Sequence, residues 1–165
     1  MKKQSANRPQ AAHSKSFREG INILTDEINL ALKWQRPSIL LTVHKSKLGQ
    51  VKAQGALERE IVKNNIKVKY IKVASTNTDV ISVLCKTPNH DEIVFFVSGI
   101  ETIEKKKSGD VYRALNMHRE FLVEQRIRVV FWLTELEAGN LPHCAPDFWA
   151  FRHRVVEFAS RQNVK

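Results

Sequence analysis

Apolar residues recur along the chain with two different periods, and the two periods alternate. Over residues 17–34 they return every three or four positions, which is the spacing of an amphipathic helix. Residues 38–43, 92–98 and 128–134 are instead short, nearly continuous apolar runs, and such runs are typical of strands buried on both faces of a sheet. The chain therefore predicts an entry helix followed by at least three core strands.

Helical and extended signals keep alternating between and after these runs. We predict helices over residues 51–64, 78–86, 108–125, 135–140 and 147–153, and further strands over residues 68–74 and 155–158. Alternation of this kind predicts a mostly parallel sheet with helices on both faces, a three-layer α/β fold. In such folds ligands bind beyond the carboxyl ends of the strands. We call the segments expected there the carboxyl rim: residues 44–50, 75–78, 98–110 and those from 134 onward.

The length of 165 residues is that of one domain. We assign residues 17–160 to a single α/β domain, with the entry helix at 17–35. Residues 1–16 carry four cations, no acid and no apolar periodicity, and are predicted to form a basic flexible arm. Residues 161–165 are assigned to a tail.

Charge and composition narrow the class of protein. Twenty-seven Lys and Arg against seventeen Asp and Glu give a net charge of +10, which favours an acidic or polyanionic partner. No apolar run approaches the roughly 20 residues that span a bilayer, and no secretory signal is recognisable, so we expect a cytoplasmic protein that does not enter membranes. Two isolated cysteines fit a reducing compartment.

The carboxyl rim lacks the residues of a nucleotide hydrolase. The first core strand is followed by HKSKLGQVKAQ, where Lys45 and Lys47 occur without the glycines of a phosphate-binding loop. The second is followed by Ser98-Gly99-Ile100-Glu101, without the Asp that would hold magnesium. Glu101 is thus read as a solvated acid. We expect no catalytic activity and no cofactor.

Other candidate chemistry is weak. His143, Cys144, His153 and Cys85 are residue types that bind zinc, but their spacing matches no common zinc pattern, so no metal is predicted. A nucleophilic Cys144 would need His143 or His118 as its base, and no local signature supports that pairing.

Two sets of polar residues remain as candidate contacts. Stretches 33–52 and 63–72 contain cations without an acid, which favours phosphate or nucleic-acid contact. That set is Lys33, Arg36, Lys45, Lys47, Lys52, Lys63, Lys67, Lys69 and Lys72. Asn116 in mid-helix predicts a specific hydrogen bond, and Asp147 is suited to cap the helix after Pro146. The second set, a polar network or partner surface, is Arg113, Asn116, Arg119, Glu120, Asp147, Arg152 and Arg154.

Several motifs carry a resemblance. The order SILLTV, IVFFVSGIE, YRALNMHREFLVEQRIRVVFWLTE and APDFWAFRHRVVEF, over residues 17–158, resembles the P-loop-derived domain of bacterial multidomain STAND-type signalling ATPases and tetratricopeptide-repeat proteins. IVFFVSG stands where that family has its Walker B strand, VVFWLTE where it has the sensor strand, and APDFW is the most specific motif. The resemblance implies a P-loop NTPase-like sheet that has lost its hydrolytic residues.

Three functions follow as hypotheses. The first is a non-catalytic protein-interaction module on a degenerate nucleotide-hydrolase fold, in a bacterial signalling or defence assembly. The alternative is a basic, sequence-independent nucleic-acid-binding protein. The third is a residual nucleotide binder or hydrolase using Lys45, Lys47 and Glu101.

Overall fold

The computed structural model describes the backbone of residues 9–158 and the side chains of residues 17–158. Residues 1–8 of the predicted arm, which covers 1–16, and the predicted tail at 161–165 lie outside this range. The helices are α1 (Pro9–Lys33), α2 (Lys47–Val62), α3 (Val80–Lys86), α4 (Lys105–Glu124), α5 (Glu135–Cys144) and α6 (Pro146–Phe151). The strands are β1 (Ser38–His44), β2 (Lys67–Lys72), β3 (Ile93–Ser98), β4 (Arg128–Thr134) and β5 (Arg154–Phe158).

The five strands form one parallel sheet in the order β2-β3-β4-β1-β5. Every residue of β1 is buried, and in β3 and β4 only the last residue is partly exposed. The three apolar runs are therefore the core strands, and the predicted three-layer α/β fold is confirmed. β2 and β5 are the two edges.

Side-chain alternation along the strands divides the core into two layers. Leu40, Phe96 and Trp132 pack with α1 and α2 on one face. Leu41 and Phe131 pack with the helices α3 to α6 on the other face. The strand order explains these two layers. The connection from β1 to β2 runs across the sheet in the opposite direction to the later connections. Because crossovers between parallel strands are right-handed, its helix α2 lies on the opposite face from α3 to α6.

Close packing joins α1 to the edge strand β5. A Cβ atom at Gly20 would lie 2.9 Å from both Phe158 Cε1 and Val156 Cγ1, so a side chain there would have no room. Phe17 adds an aromatic contact with Phe158, at 5.5 Å between ring centroids. The outward side of α1 and the free edge of β5 are thus neighbours on the surface.

Four helix starts differ by two residues or more from the sequence expectation. α2 begins at Lys47, four residues before the predicted start. α1 begins at Pro9, within the segment assigned to the flexible arm; proline suits the first turn of a helix because it lacks the N–H that would be unpaired there. α3 is capped by Asp79, whose Oδ1 accepts from Ser82 N at 3.1 Å, rather than by Thr78. α4 begins at Lys105, three residues before the predicted Ser108.

Candidate functional site

The sheet order places a topological switch point between β1 and β4. The connections that leave these adjacent strands run in opposite directions, and ligands of parallel α/β sheets bind at the crevice that this reversal opens at the carboxyl rim. His44 and Thr134 lie opposite each other there, as the last register pair of the two strands. A small-molecule site of this fold is therefore expected at the switch point.

His44 is the unusual residue of the switch point. Its side chain is 4% exposed, and within residues 17–158 neither ring nitrogen makes a hydrogen bond of ordinary geometry. Burial lowers the pKa of His44 below its ordinary value; the Glu101 carboxylate and a hydrogen-bonding contact with the Ser46 backbone oppose this effect, and the Lys47 ammonium reinforces it. At neutral pH the imidazole is therefore uncharged.

Two more buried polar side chains lie on the same face of the sheet as His44. Gln50, in the first turn of α2, is 1% exposed; its Oε1 accepts from Lys47 Nζ at 3.4 Å and its Nε2 has no partner among the described residues. Trp132 Nε1 is likewise buried without a partner there. Buried polar atoms are normally hydrogen-bonded, so these three side chains are candidates for contact with a polar molecule at this end of the sheet.

The connection from β1 to α2 is too short to wrap a phosphate. It consists of Lys45 and Ser46, and Ser46 Oγ accepts from Gly49 N at 3.0 Å to cap the helix. Lys45 Nζ lies 3.8 Å from a Glu135 carboxylate oxygen in an exposed ion pair. The two lysines that could attract phosphate thus have intramolecular partners.

Among residues 17–158, Glu137 is the buried acid of the carboxyl rim. Glu137 belongs to a capping box at the start of α5: its Oε2 accepts from Thr134 N at 3.1 Å, and its own N–H donates to Thr134 Oγ1 at 3.3 Å. Burial raises the pKa of Glu137, opposed by that hydrogen bond from the Thr134 N–H. Glu137 is therefore structural, and Glu101 is exposed.

The zinc and nucleophile candidates are not brought together. His153 Nδ1 accepts from Ile39 N at 2.9 Å at the amino end of β1, and His118 Nδ1 lies 3.0 Å from Asp79 Oδ2. Cys144 is exposed at the end of α5, while Cys85 is half-buried in α3. Over residues 17–158, no three His, Cys, Asp or Glu side chains form a group that could hold a metal ion.

Asn116 makes the specific hydrogen bond that its position in mid-helix predicts. Its Oδ1 accepts from Asp147 N at 2.8 Å and from Phe148 N at 3.2 Å, and its Nδ2 donates to Asp147 Oδ2 at 3.3 Å. Asn116 of α4 therefore caps α6, whose own N-cap position is occupied by Ala145. Asp147 receives this hydrogen bond instead of acting as the cap.

Arg119 is the second member of this network. Its guanidinium donates to the Asn116 carbonyl at 2.5 Å and lies 3.8 Å from an Asp147 carboxylate oxygen. Glu120 lies 3.9 Å away on its exposed side. This cluster ties α4 to the APDFW segment, which indicates a structural role.

The other three candidates lie outside the cluster. Arg113 pairs with Asp110 at 3.2 Å within α4, and Arg154 pairs with Glu27 of α1 at 3.2 Å. Arg152 covers the ring of Trp149, with 4.1 Å from its Cζ to the ring centroid.

The nine candidate cations are close in sequence but separated in space. Lys33 and Arg36 lie before β1, whereas Lys45 and Lys47 lie after it, and a strand of seven residues spans about 23 Å. The remaining five divide between α2 and the edge strand β2. They are Lys52 in α2, with its Nζ 5.2 Å from the Phe17 ring centroid, Lys63 just after α2, and Lys67, Lys69 and Lys72 along β2. The one compact group is that of β2.

Reasoning from the sequence missed His44, Gln50 and Trp132 as a set. Two of them carried a signal: a histidine ends the apolar run SILLTVH, and a glutamine lies on the buried face of α2 where an apolar residue is expected. The burial of all three on one face depends on the packing of α2 against the sheet. No local pattern contains that information.

Comparison of the sequence with models of known protein families gives no match, and a search of curated proteins gives none either. The resemblance to P-loop-derived domains therefore rests on the motifs quoted above. Among the helices of residues 9–158, none combines the length and the apolar character needed to cross a bilayer.

The buried imidazole predicts a specific pH dependence. In the unfolded chain His44 titrates near pH 6.5, whereas burial lowers its pKa in the folded protein. The unfolded state then binds more protons, so the free energy of unfolding falls as the pH drops below about 6.5. In His44→Leu this contribution is absent, and we expect a smaller loss of stability between about pH 8 and pH 5.5 in urea unfolding.

His143→Leu is the matched control, because it removes an imidazole from an exposed position. Glu137 acts in the opposite direction: its raised pKa means that lowering the pH relieves the penalty of its buried charge, and this contribution is common to all three proteins. Equal pH profiles for wild type and His44→Leu would refute the assignment.

Proposed function

We propose that this protein is a non-catalytic protein-interaction module, and that its partner binds the outward side of α1. One observation carries the proposal: Ile23 and Leu30 of α1, and Trp34 in the turn directly after it, are exposed on a single side of the helix. We call these three residues the α1 stripe. The quoted resemblance supports placing the module in a bacterial signalling or defence assembly.

The α1 stripe has the features of a contact surface. Its members are 37%, 45% and 61% exposed in chain order, and their spacings of seven and four residues keep them on one face. Tryptophan is among the residues that contribute most to protein interfaces. Lys33 Nζ lies 5.2 Å from the Trp34 ring centroid, which adds a cation beside the ring.

The stripe borders the edge strand of the sheet. Glu27, between Ile23 and Leu30 on the helix, pairs with Arg154 of β5 at 3.2 Å, and Arg154 lies on the same face of the sheet as α1, in register with Leu40. The apolar side chains of the stripe thus have a charged pair beside them. Contiguous apolar surface framed by polar groups is typical of protein-binding sites.

The absence of catalysis is part of the proposal. Its support is the two-residue connection after β1, the Ser98 side chain where a metal-holding acid would be expected, and the capping role of Glu137. Phosphoryl transfer depends on positioned phosphates and metal charge, and these residues provide neither.

Nucleic-acid binding ranks lower because the cations of residues 33–52 lie at opposite ends of β1. The test of this alternative is a titration of labelled duplex and single strands at several salt concentrations. Binding that weakens when Lys45, Lys47 and Lys52 are changed to Gln, with a flatter dependence on salt, would favour the nucleic-acid hypothesis over ours.

The proposal is tested by charge substitution in the stripe. We expect Leu30→Asp/Trp34→Asp to lose a partner that wild-type protein captures from its native host, identified by mass spectrometry and then purified. Loss of one central tryptophan contact is worth about 2 kcal/mol or more, so affinity for the purified partner should fall roughly 30-fold or further. The wild-type protein should hydrolyse neither ATP nor GTP above background.

Met117→Asp/Phe121→Asp is the matched control, since both residues are exposed apolar positions of α4. It should retain the partner. Thermal unfolding of all variants establishes that they are folded. Equal affinity of the stripe variant and wild type would contradict the proposed surface, and turnover abolished by Glu101→Gln would contradict the non-catalytic assignment.

A further inference from the structure

β2 is an edge strand, and no other strand of residues 9–158 pairs with its outer side. Val73 N donates to Ser98 O at 2.8 Å, so the backbone groups of Val73 point toward β3. Backbone direction alternates along a strand, and the N–H and C=O groups of Val68, Tyr70 and Lys72 therefore point away from the sheet. These three alternate residues thus present the donors and acceptors that a further strand would need.

The side chains along this edge are cationic. Lys67, Lys69 and Lys72 are all exposed, and residues 67–72 contain no acid. Lys67 Nζ lies 4.0 Å from a Glu92 carboxylate oxygen, but both side chains are largely exposed and such pairs are worth little. Side chains alternate along the strand, so Lys67 and Lys69 lie on one face of β2 and Lys72 lies on the other, the face of Tyr70. The edge therefore combines a hydrogen-bond ladder with two lysines on one face.

Tyr70 stiffens the middle of the strand. Its hydroxyl donates to Glu58 Oε2 at 2.6 Å, and its ring packs edge-on against Phe96 at 5.3 Å between centroids. The ring remains 47% exposed, which leaves an apolar surface beside the outward backbone of Tyr70. A strand added here would meet a fixed aromatic contact as well as the ladder.

The charge decides which strand can be added. A second copy of this chain pairing through β2 would place lysines against lysines, and edge lysines are a known device against self-association. A nucleic acid could neutralise the lysines but could not continue the backbone ladder. An extended acidic peptide satisfies both requirements.

We propose that β2 binds an extended acidic segment of another protein by strand addition. The α1 stripe borders β5 at the opposite edge of the sheet, so this inference does not rest on the proposed function. Backbone pairing provides the register, and Lys67 and Lys69 select acidic side chains on the matching face of the added strand, whose other face meets Tyr70.

The probe is a labelled peptide of alternating glutamate and valine, as long as β2, titrated at low ionic strength by fluorescence anisotropy. Lys67→Gln/Lys69→Gln should weaken binding roughly fivefold or more, as expected for two contacts of about 0.5–1 kcal/mol each. Val68→Pro removes an outward N–H without breaking a hydrogen bond to β3, and should weaken binding roughly tenfold relative to Val68→Ala.

Hydrogen exchange on the wild-type protein tests the backbone claim without any variant. Bound peptide should protect the amides of Val68, Tyr70 and Lys72 from exchange. This measurement does not depend on whether Val68→Pro folds. No binding of the probe would overturn the inference. Equal binding of polyglutamate or duplex DNA, without amide protection in β2, would reduce the edge to a nonspecific cationic surface and overturn it too.

Discussion

Phe131→Ala is expected to lower the free energy of unfolding by about 3–5 kcal/mol. Phe131 is 1% exposed in β4, and its ring packs edge-on against Phe148 of α6, with 5.3 Å between the centroids. Removing it leaves a cavity between the sheet and the APDFW segment that rigid strands cannot close. Since domains of this kind are stable by about 5–15 kcal/mol, the loss would be a large part of the total.

Urea or guanidinium unfolding measures this effect, with the midpoint and the slope fitted separately. Phe121→Ala is the matched control: it deletes the same side chain from an exposed position of α4, where Phe121 is 50% exposed, and should change stability by less than about 1 kcal/mol. Similar losses in the two variants would mean that Phe131 does not join β4 to α6 as described.

Asn116→Ala has the second largest expected effect, about 1–2 kcal/mol of stability. The substitution removes the oxygen that accepts the Asp147 and Phe148 N–H groups, and Ala145 cannot replace it as a cap. Alanine is a better helix former than asparagine, so local propensity within α4 predicts the opposite sign. A measured loss therefore reports the contact between the two helices.

Asn64→Ala is the control for Asn116→Ala. The Asn64 side chain makes one exposed hydrogen bond, from its Nδ2 to Asn29 Oδ1 at 3.3 Å, and its removal should change stability by about 0.5 kcal/mol or less. Increased stability of Asn116→Ala would refute the capping assignment. Hydrogen exchange of the Phe148 amide should rise in Asn116→Ala and stay unchanged in Asn64→Ala.

The helix starts show how far local signals reach. Ser46 and Asp79 both cap helices through their own side chains, and both are residue types that favour this position. Lys105 begins α4 with three lysines in the first turn, which the helix dipole disfavours, so no local rule indicates that start. The capping of α6 by Asn116 cannot be predicted from local signals for a different reason: Asn116 and Asp147 are separated by 31 residues.

The candidate sites show the same difference between local signals and long-range contacts. The missing phosphate loop is a local property of the chain after β1, and the sequence alone predicted it; the structure adds that the connection has two residues. The polar set of His44, Gln50 and Trp132 comes from β1, α2 and β4. It exists because α2 packs over those strands.

The sequence by itself determined the layers of this protein, because burial on both faces requires continuous apolar runs and burial on one face of a helix requires a period of 3.6 residues. The tertiary structure decided the order of the strands, since pairing partners are chosen over long distances and leave no local period. That order separates Lys33 from Lys45 by the length of β1, brings Asn116 to Asp147, and leaves the lysines of β2 on a free edge. Charged residues that are close in the sequence form one surface only if the strand order places them at the same end of the sheet.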